Sequence, residues 1–363
     1  MALVRAAMVD RGVEVLLLSV GADLPWLIGY EAMPLERLTM LVVPVDGEAT
    51  LVVPDLEVPR VCHWPGLFAI EPWGEVDDPI ARVVGLVGRA KTLAIGDRTW
   101  ARFLVDLQDQ IPQARFTRAT EVTGALREVK DHHEIERLRV AASAADRVAA
   151  QLHAGEIALI GRTEASVSAE IGRRLVAEGH HRVNFAIVAS GPNAASPHHD
   201  AGSRVIERGE IVLCDFGGTF LDAFGVGYCS DITRCVHTGP IPSELTDLYA
   251  VLHGAQAAAV SAAEVGAPCE SVDAAARSII TAGGYGEQFV HRTGHGIGVE
   301  AHEDPYLVAG NGAPLIPGNV FSVEPGIYVA GRWGARLEDI VVATETGPDS
   351  LNQADHALVV VES

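Results

Sequence analysis

The chain has 363 residues, which is longer than a usual single domain, so its length favours two domains or one large one. Hydrophobic residues make up 48% and charged residues 21%, as in a globular protein without disordered tracts. The net charge of -21 argues against a nucleic acid or an anionic membrane as partner, because those surfaces require clustered Lys and Arg.

The cysteines and the N-terminus indicate a cytoplasmic protein. Five cysteines are an odd number without a CxxC pair, which fits free thiols in a reducing compartment. The first residues lack a charged segment followed by a sustained apolar core and a cleavage site. No stretch reaches the roughly 18 apolar residues of a membrane span. We therefore expect neither export nor a membrane anchor.

The first 123 residues are typical of an α/β domain. Apolar runs of strand length and strand composition occupy residues 13–18, 38–43, 50–53 and 92–95. Residues 78–89 predict a helix between two of these strands. The domain contains no cluster of acids and histidines like those found later in the chain. We therefore interpret residues 1–123 as a domain for substrate access or dimerisation.

A composition shift near residue 123 marks the start of a second domain, residues 124–363. From residue 131 to 152 apolar side chains recur at steps of three and four, as one face of a long helix requires. A second helix is predicted to begin at Thr163, whose hydroxyl can cap the free amides, and to stop at Gly179.

Two acids lie on a predicted strand pair in the middle of the chain. The apolar strand at residues 211–214 ends on Asp215, and residues 228–234 return as one strand that contains Asp231. Ending a buried strand on a carboxylate is costly unless the charge is paired or bound to a metal. Two such acids facing one another would make half of a cation site.

A second pair of acids repeats this pattern near the C-terminus. A strand at residues 320–323 ends on Glu324, and after a glycine turn residues 335–342 return with Glu338. Together the two strand pairs deliver four carboxylates, which predicts a site for divalent cations.

A histidine in a glycine-rich stretch supplies a nitrogen donor between the two strand pairs. His295 lies in the run from His291 to Gly298, and His302 follows seven residues later. Glycine lets the backbone fold tightly around a small ion, and neutral imidazole is a common metal ligand. His198 leaves an earlier strand, where it can project into a cleft. Four carboxylates and one imidazole suit two adjacent divalent metals, preferably manganese or cobalt, with zinc also compatible.

These motifs together resemble the pita-bread metallopeptidases, the family that contains methionine aminopeptidase, aminopeptidase P and prolidase. In chain order, the matching motifs are Ser-Asp-Ile-Thr-Arg at 230–234, Thr-Gly-His-Gly-Ile-Gly at 293–298, Val-Glu-Pro-Gly at 323–326 and Arg-Leu-Glu-Asp at 336–339. The resemblance covers residues 124–363, and the preceding domain is similar to that of aminopeptidase P and prolidase. It implies an α/β (α+β) protein, a creatinase-like α/β domain followed by a pita-bread domain whose pseudo-twofold antiparallel sheet is flanked by helices.

The resemblance also implies which residues bind the two metal ions. Asp215 would bind one ion, and His295 with Glu324 would bind the other. Asp231 and Glu338 would bridge both ions. Two bridged cations lower the pKa of a shared water, so that hydroxide exists near neutral pH, and they polarise the scissile carbonyl.

Further residues receive roles from the same resemblance. His198 and His302 match histidines that contact the substrate and stabilise the developing oxyanion. Glu324 could receive the proton of the water. His291 and Arg336 match positions behind the metal ligands. The implied reaction is hydrolysis of the Xaa-Pro bond in dipeptides or short peptides, with manganese as the expected metal.

The sequence departs from the family pattern in two places. The two aspartates are 16 residues apart, farther than is usual, so residues 220–225 resemble a small insertion at the hairpin tip. If Asp222 were the ligand instead, Asp215 would be an unpaired acid closing a strand. No Arg or Lys lies between His302 and Glu324, where some prolidases keep an arginine for the dipeptide's terminal carboxylate. Selectivity for dipeptides therefore stays open.

Several functions fit this pattern. The main hypothesis is an Xaa-Pro dipeptidase; the alternative is an Xaa-Pro aminopeptidase (aminopeptidase P) acting on longer peptides. A creatinase-like hydrolase working without metal predicts replaced ligand acids, and they are not replaced. A catalytically silent binding protein predicts lost ligands as well, so only activity excludes it. The expected partners are small peptides with proline at the second position and a second copy of the chain in a homodimer.

Overall fold

The apolar runs near the N-terminus form a mixed sheet in the computed structural model, which describes residues 1–362. Its strands are β1 (Val15–Leu18), β2 (Met40–Pro44), β3 (Thr50–Pro54), β4 (Ala69–Trp73), β5 (Thr92–Ile95) and β6 (Arg115–Arg118). The sheet order is β4-β3-β2-β1-β5-β6. β1 pairs in parallel with β5 and antiparallel with β2. All four strands that the sequence predicts here are confirmed.

Helices pack on both faces of this sheet. They are α1 (Ala2–Arg11), α2 (Asp23–Ile28), α3 (Pro79–Val87), α4 (Ala101–Gln110) and α5 (Thr120–Glu128). Leu16 and Leu18 of β1 pack with α1, α2 and α5, whereas Val15 and Leu17 pack with α3 and α4. Both faces of β1 are therefore buried, which explains its uninterrupted apolar run. The predicted helix at 78–89 is α3, capped by the Asp78 side chain.

Four longer helices belong to the second half of the chain. They are α6 (His132–His153), α7 (Glu164–Ala177), α8 (Ser243–Ala262) and α9 (Cys269–Ala282). The predicted cap of α7 is confirmed, because Thr163 Oγ1 accepts a hydrogen bond from the Ser166 N–H at 3.2 Å. Gly179, where the sequence predicts the helix to stop, has a φ of 112°.

The strands of this half form two main sheets. They are β7 (Arg182–Ser190), β8 (Ile211–Leu221), β9 (Gly227–Cys229), β10 (Ile232–His237), β11 (Gly294–Gly296), β12 (Glu303–Leu307), β13 (Val320–Val323), β14 (Gly326–Val329), β15 (Trp333–Arg336), β16 (Asp339–Thr344), β17 (Gly347–Ser350) and β18 (Val359–Val360). One sheet has the order β18-β10-β8-β7, with β9 also on β8; the other is β12-β11-β13-β16-β17. β14 and β15 pair separately.

A helix pair accompanies each of these sheets. Apolar residues of α6 and α7 pack with β7, β8 and β10, while those of α8 and α9 pack with β13, β14 and β16. An isolated antiparallel bridge between Thr233 and Glu338 links the two sheets. The repeated arrangement of a helix pair and a largely antiparallel sheet confirms the predicted fold class.

Two details of the strand prediction are wrong. β8 does not end at Asp215 but continues beyond it, with Asp215 paired to β7 on one side and to β10 on the other. Gly217 permits this continuation, because a Cβ there would lie 2.0 Å from the Ser230 carbonyl oxygen. The returning segments at 228–234 and 335–342 are each two strands rather than one, interrupted beside Asp231 and Glu338.

The described chain divides into two compact units. The first contains Met1–Arg127 and Asp222–Gly227; the second contains Glu128–Leu221 and the chain from Tyr228 onward. The predicted domain boundary between residues 123 and 124 stays a prediction, as does the role of the first domain. None of the described helices has the length and apolar character that a membrane span requires. The five cysteines are free thiols, and only Cys62 is exposed.

Candidate metal centre

Each of the four predicted acids lies at a defined point of the second unit's sheets. Asp215 stands in the middle of β8, on the same face as Ile211 and Leu213 of the core. The other three lie in short breaks between strands: Asp231 between β9 and β10, Glu324 between β13 and β14, and Glu338 between β15 and β16. A residue in such a break is released from the strict alternation of a strand, so its side chain can turn toward the pocket.

The strand register places two of these breaks opposite one another. Val323 pairs with Asp339 at the end of β13 and β16, and Gly326 pairs with Arg336 where β14 and β15 begin their separate pairing. The chain thus passes from one sheet to another at Glu324 and again at Glu338.

His295 completes the group from β11. Its Nδ1 donates a hydrogen bond to the Gly296 carbonyl at 3.1 Å. The lone pair of Nε2 is therefore free, and Nε2 lies 3.4 Å from Glu324 Oε1 and 3.9 Å from Asp231 Oδ2. Burial and the adjacent His302 lower the pKa of His295 to about 3, so the imidazole is neutral and can act as a ligand.

The potential ligand atoms form overlapping groups within 4.8 Å of one another. The groups are Asp215 with Asp231 and Glu338; His295 with Glu324 and Glu338; and Asp231 with His295 and His302. Glu338 belongs to two of them, as does Asp231. The first two groups, which share Glu338, suit two neighbouring cations.

The protein leaves the charge of this cluster largely uncompensated. Burial and the neighbouring acids, among them Glu338, raise the pKa of Asp231 well above its usual range. Burial and Glu324 do the same for Glu338. Asp215 Oδ1 and Asp231 Oδ1 are buried without a hydrogen-bond partner among the described residues. Buried acceptor oxygens without partners fit a site for divalent metal ions.

Arg336 is the main cation beside the acids and is itself buried. It donates hydrogen bonds to Asp215 Oδ2, Thr233 Oγ1, the Tyr328 hydroxyl and the Pro197 carbonyl. Thr233 Oγ1 in turn donates to Glu338 Oε2 at 2.6 Å. Arg336 and Thr233 therefore orient one carboxylate on each of the two strand pairs.

His291 joins this network through Tyr328. The Tyr328 hydroxyl accepts from Arg336 at 2.8 Å and donates to His291 Nε2 at 2.9 Å, while His291 Nδ1 donates to the Arg292 carbonyl at 2.7 Å. Burial and the charge of Arg336 lower the pKa of His291 to about 4. His291 is thus a neutral residue behind the carboxylates, connected to Arg336 by a tyrosine that sequence reasoning missed.

The two remaining predicted histidines are on exposed loops at the pocket. The His302 ring lies 3.9 Å from the His295 ring, centroid to centroid. His198 follows Pro197 in the loop after β7. Both side chains line the pocket, which leaves their nitrogens available to a bound molecule.

The loop that carries His198 is held by a buried acid, Glu164, that sequence reasoning also missed. Glu164 is completely buried and accepts hydrogen bonds from the Ser190 N–H and hydroxyl, from Asn193 Nδ2 and from His199 Nε2, all between 2.8 and 3.1 Å. Its position directly after the predicted cap Thr163 was the available signal. Its partners lie 26 to 35 residues farther along the chain.

All nine predicted site residues line one pocket of about 490 Å³. The lining residues are Phe185, Ile187, Pro197, His198, Asp215, Asp231, His291, Arg292, His295, His302, Glu324, Arg336 and Glu338. Asp222 is not among them. Its Oδ1 accepts hydrogen bonds from the Phe224 and Val226 N–H groups in the turn after β8.

The fold and this pocket agree with comparisons to known proteins. A model of metallopeptidase family M24 matches residues 136–345, and one of the creatinase/prolidase N-terminal domain matches residues 1–129. The chain belongs to metallopeptidase family M24, and it is a peptide hydrolase of the pita-bread fold. The family predicted from the motifs is confirmed, and membership implies divalent metal ions as cofactors.

Similar relatives within the family include proteins named dipeptidase, Xaa-Pro dipeptidase and prolidase. The chain is 44% identical to the probable dipeptidase PepE of Mycobacterium tuberculosis, covering 99% of this chain and 96% of that one. It is 34% identical to the Xaa-Pro dipeptidase of Lactobacillus helveticus, covering 97% and 96%. The crystal structure of a prolidase from Thermococcus sibiricus aligns with a TM-score of 0.92 at 34% identity, covering 99% of this chain and 97% of that one.

Proposed function

We propose that this protein is an Xaa-Pro dipeptidase that uses two divalent metal ions. The observation that carries the proposal is the convergence of five potential ligands in one pocket, where two buried carboxylate oxygens have no partner among the described residues. Those five ligands are Asp215, Asp231, His295, Glu324 and Glu338. Relatives named dipeptidase, Xaa-Pro dipeptidase and prolidase support the choice of substrate.

Each ligand has a role in this proposal. Asp215 would bind one ion and His295 with Glu324 the other, while Asp231 and Glu338 would bridge both. The shared membership of Glu338 in two ligand groups supports its bridging role, and the 3.9 Å between Asp231 and His295 supports that of Asp231. When bound, the ions would act as Lewis acids toward the scissile carbonyl and would lower the pKa of the attacking water. Manganese is the metal that we expect, with cobalt or zinc as alternatives.

The chain's own side chains supply proton transfer and charge stabilisation. Glu324 would take the proton of the attacking water and later give a proton to the departing nitrogen of proline. His198 and His302 would donate hydrogen bonds to the carbonyl oxygen as negative charge develops on it. Phe185, Ile187 and Pro197 form an apolar part of the pocket wall, which suits a proline ring.

Three residues, Arg336, Tyr328 and His291, hold the ligand Asp215 in place through hydrogen bonds. Arg336 orients the Asp215 carboxylate, and His291 orients Arg336 through the Tyr328 hydroxyl. Because the three residues form one continuous hydrogen-bonded chain, removing either His291 or Tyr328 would disturb the ligand Asp215 indirectly.

An Xaa-Pro aminopeptidase is the second candidate, and one observation favours it. Residues 303–323 contain no Arg or Lys for the free carboxylate that distinguishes a dipeptide from a longer peptide. On this reading the pocket would admit residues beyond proline.

The test compares Leu-Pro, Leu-Pro-Ala and Leu-Ala as substrates of chelator-stripped protein, with and without added manganese, cobalt or zinc. We expect metal-restored cleavage of Leu-Pro, slower cleavage of Leu-Pro-Ala and little cleavage of Leu-Ala. The Glu338→Gln variant should lose activity with every metal. Preferred cleavage of Leu-Pro-Ala would make the protein an aminopeptidase, and no cleavage with any metal would refute the peptidase assignment.

A further inference from the structure

Lys130 and Glu303 form a buried ion pair that the proposed mechanism does not use. Lys130 Nζ lies 2.5 Å from Glu303 Oε1, and only 2% and 9% of the two side chains are exposed. The residues are 173 positions apart in the chain. Taking two charges out of water is costly, and an apolar pair of similar volume is often at least as stable. Stability alone is therefore a weak reason for an ion pair at this place.

The backbone around Lys130 is attached to the segment that leads into β13. The Lys130 N–H donates a hydrogen bond to the Gly318 carbonyl at 2.9 Å, and Val129 forms an antiparallel bridge with Asn319. Asn319 Nδ2 also donates to the Glu128 carbonyl at 3.2 Å. The Lys130 side chain therefore starts from a fixed position.

Glu303 is the first residue of β12 and directly follows His302. It pairs with Gly296 of β11, the residue after the metal-ligand candidate His295. The rings of His302 and His295 lie 3.9 Å apart, centroid to centroid. The ion pair is thus formed one residue away from a histidine to which the proposed mechanism gives a role.

Gly298 leaves the space in which the two charges meet. A Cβ on Gly298 would lie 2.5 Å from Glu303 Oε1 and 2.9 Å from Lys130 Cε. The Gly298 carbonyl accepts a hydrogen bond from the Cys229 N–H at 2.8 Å. The loop that joins β11 to β12 is therefore held near its start by Cys229 and at its end by the ion pair.

We propose that Lys130 and Glu303 are positioning residues, which hold His302 where it can donate a hydrogen bond to the developing oxyanion. The inference rests on the proposed function, because His302 has its role only in that reaction. Residues 297–302 join the two strands, and His302 is the last of them. Neither member of the ion pair lines the pocket. A displacement of about 1 Å at a reacting group can cost about 100-fold in rate, so the anchoring of this loop affects catalysis.

The first test separates positioning from stability with Lys130→Met, Glu303→Met and the double variant. Each single variant leaves one buried charge without compensation, so its melting temperature should fall by about 5 °C or more. The double variant removes both charges and should recover most of that loss. Its kcat for Leu-Pro should nevertheless stay about 10-fold or more below that of the metal-loaded wild type, with KM within about twofold.

A variant with a smaller change supports the same test. Glu303→Asp keeps the charge but shortens the side chain by one methylene, so the strand end must move to preserve the ion pair. We expect it to fold and to lower kcat by about threefold. The control is Arg332→Met, which breaks the ion pair with Glu244, where 54% of each side chain is exposed. The control should leave kcat, KM and the melting temperature unchanged.

The second test asks whether the ion pair acts through His302. His302→Ala is measured alone and combined with Lys130→Met and Glu303→Met. If the ion pair serves to place His302, the combination should lower kcat by less than about twofold beyond His302→Ala. Manganese affinity of the Lys130→Met/Glu303→Met variant, measured by titration calorimetry, should stay within about threefold of wild type. The reason is that the His295 N–H is held separately, by Ser322 Oγ at 3.1 Å.

Two results would overturn the proposal. Recovery of kcat together with the melting temperature in the double variant would mean that the ion pair only stabilises the fold. Losses that multiply with that of His302→Ala would mean that it acts on another part of the site. Failure of the proposed function looks different: the wild type would then not cleave Leu-Pro with any metal, and the inference would fall with it.

Discussion

Asp231 and Glu338 are two buried carboxylates placed in the same pocket as two further acids. Burial and the nearby acids raise the pKa of both above the usual range. A group whose pKa is higher in the folded than in the unfolded state stabilises the fold at low pH and loses that contribution as pH rises through the folded pKa. Without metal, this cluster therefore opposes folding near neutral pH.

The first prediction concerns Asp231→Asn in chelator-treated protein. Removing one charge should raise the melting temperature at pH 7.5 by about 2 °C or more above metal-free wild type, while peptidase activity is lost. At pH 4 the gain should shrink, because the acids are largely protonated there. Circular dichroism melting at both pH values is the measurement. A lower melting temperature at pH 7.5 would contradict the charge argument.

The pKa of Glu164 is shifted in the opposite direction, below its usual value. Burial alone would raise its pKa, but hydrogen bonds from His199, Ser190 and Asn193 outweigh burial and hold the pKa below the usual 4.5. The stability that Glu164 contributes is thus present above pH 4.5 and is lost as pH falls through its lowered folded pKa.

The second prediction is that Glu164→Gln lowers the free energy of unfolding at pH 7 by about 1–3 kcal/mol, because an acceptor oxygen is replaced by a donor. It should also lower kcat, since the loop with His198 loosens. Urea unfolding should show the gap from wild type narrowing at pH 3. Glu121→Gln, at an exposed position in α5, is the control without effect. Unchanged stability of Glu164→Gln would refute the anchoring role.

At the scale of elements, the carboxylates are brought together by strands that approach unusually closely. β8 continues past Asp215 because Gly217 leaves room for the Ser230 carbonyl, and Gly294 on β11 similarly faces the Ser322 carbonyl. A Cβ on Gly294 would lie 1.9 Å from that oxygen. These glycines serve the spacing between strands, so β8 and β11 tolerate no side chain there.

The third prediction tests this spacing with Gly217→Ala. The added methyl group must displace the backbone at Ser230, next to the ligand candidate Asp231, so stability should fall by about 1–3 kcal/mol and kcat should drop. Gly254→Ala in α8 is the matched control: a Cβ there meets nothing within 4 Å, and stability should rise by up to about 1 kcal/mol. The free energies of unfolding of both variants and of wild type are measured by denaturant unfolding. Equal stability of Gly217→Ala and wild type would contradict the close approach.

At the scale of the whole molecule, metal binding and folding are linked. Ligands as far apart in the chain as Asp215 and Glu338 come together only in the folded second unit. Metal therefore binds the native state far better than the unfolded one. The bound ions would also offset the repulsion among the acids.

The fourth prediction is that chelation lowers the melting temperature. Metal at 100 times its dissociation constant contributes about 2.7 kcal/mol, which corresponds to roughly 5–10 °C for a unit of this size. Calorimetry with chelator, followed by addition of manganese, cobalt or zinc, measures the shift. Glu338→Gln should respond much less. If none of the three metals changes the melting temperature of the wild type, the proposed metal centre is contradicted.

Much of the fold was predictable because its signals are local. Thr163 caps α7 by accepting a hydrogen bond from Ser166, only three residues farther along the chain. The apolar runs of β1, β2, β3 and β5 were visible in the sequence. The continuation of β8 was not predictable. The sequence predicted that the strand ends on Asp215, whereas the strand continues and Gly217 permits close contact with the Ser230 carbonyl.

The site was predictable where residues belong to motifs and not where they act through distant partners. Asp215, Asp231, His295, Glu324 and Glu338 stand in recognisable segments, and all line the pocket. Tyr328 and Glu164 were missed, because their roles depend on Arg336 and His199, which only folding brings near. The homodimer, the cytoplasmic location, the choice of manganese and the domain boundary remain predictions.

The sequence by itself determined the family, the donor types and the approximate strands, since these follow from side-chain chemistry and short-range periodicity. Only the tertiary structure decided which donors meet and which carboxylate oxygens lack partners. Those properties depend on contacts between segments more than 100 residues apart, such as Arg336 with Asp215, which are separated by 121. Packing of the two sheets and their helices brings such segments together, and no local pattern encodes that distance.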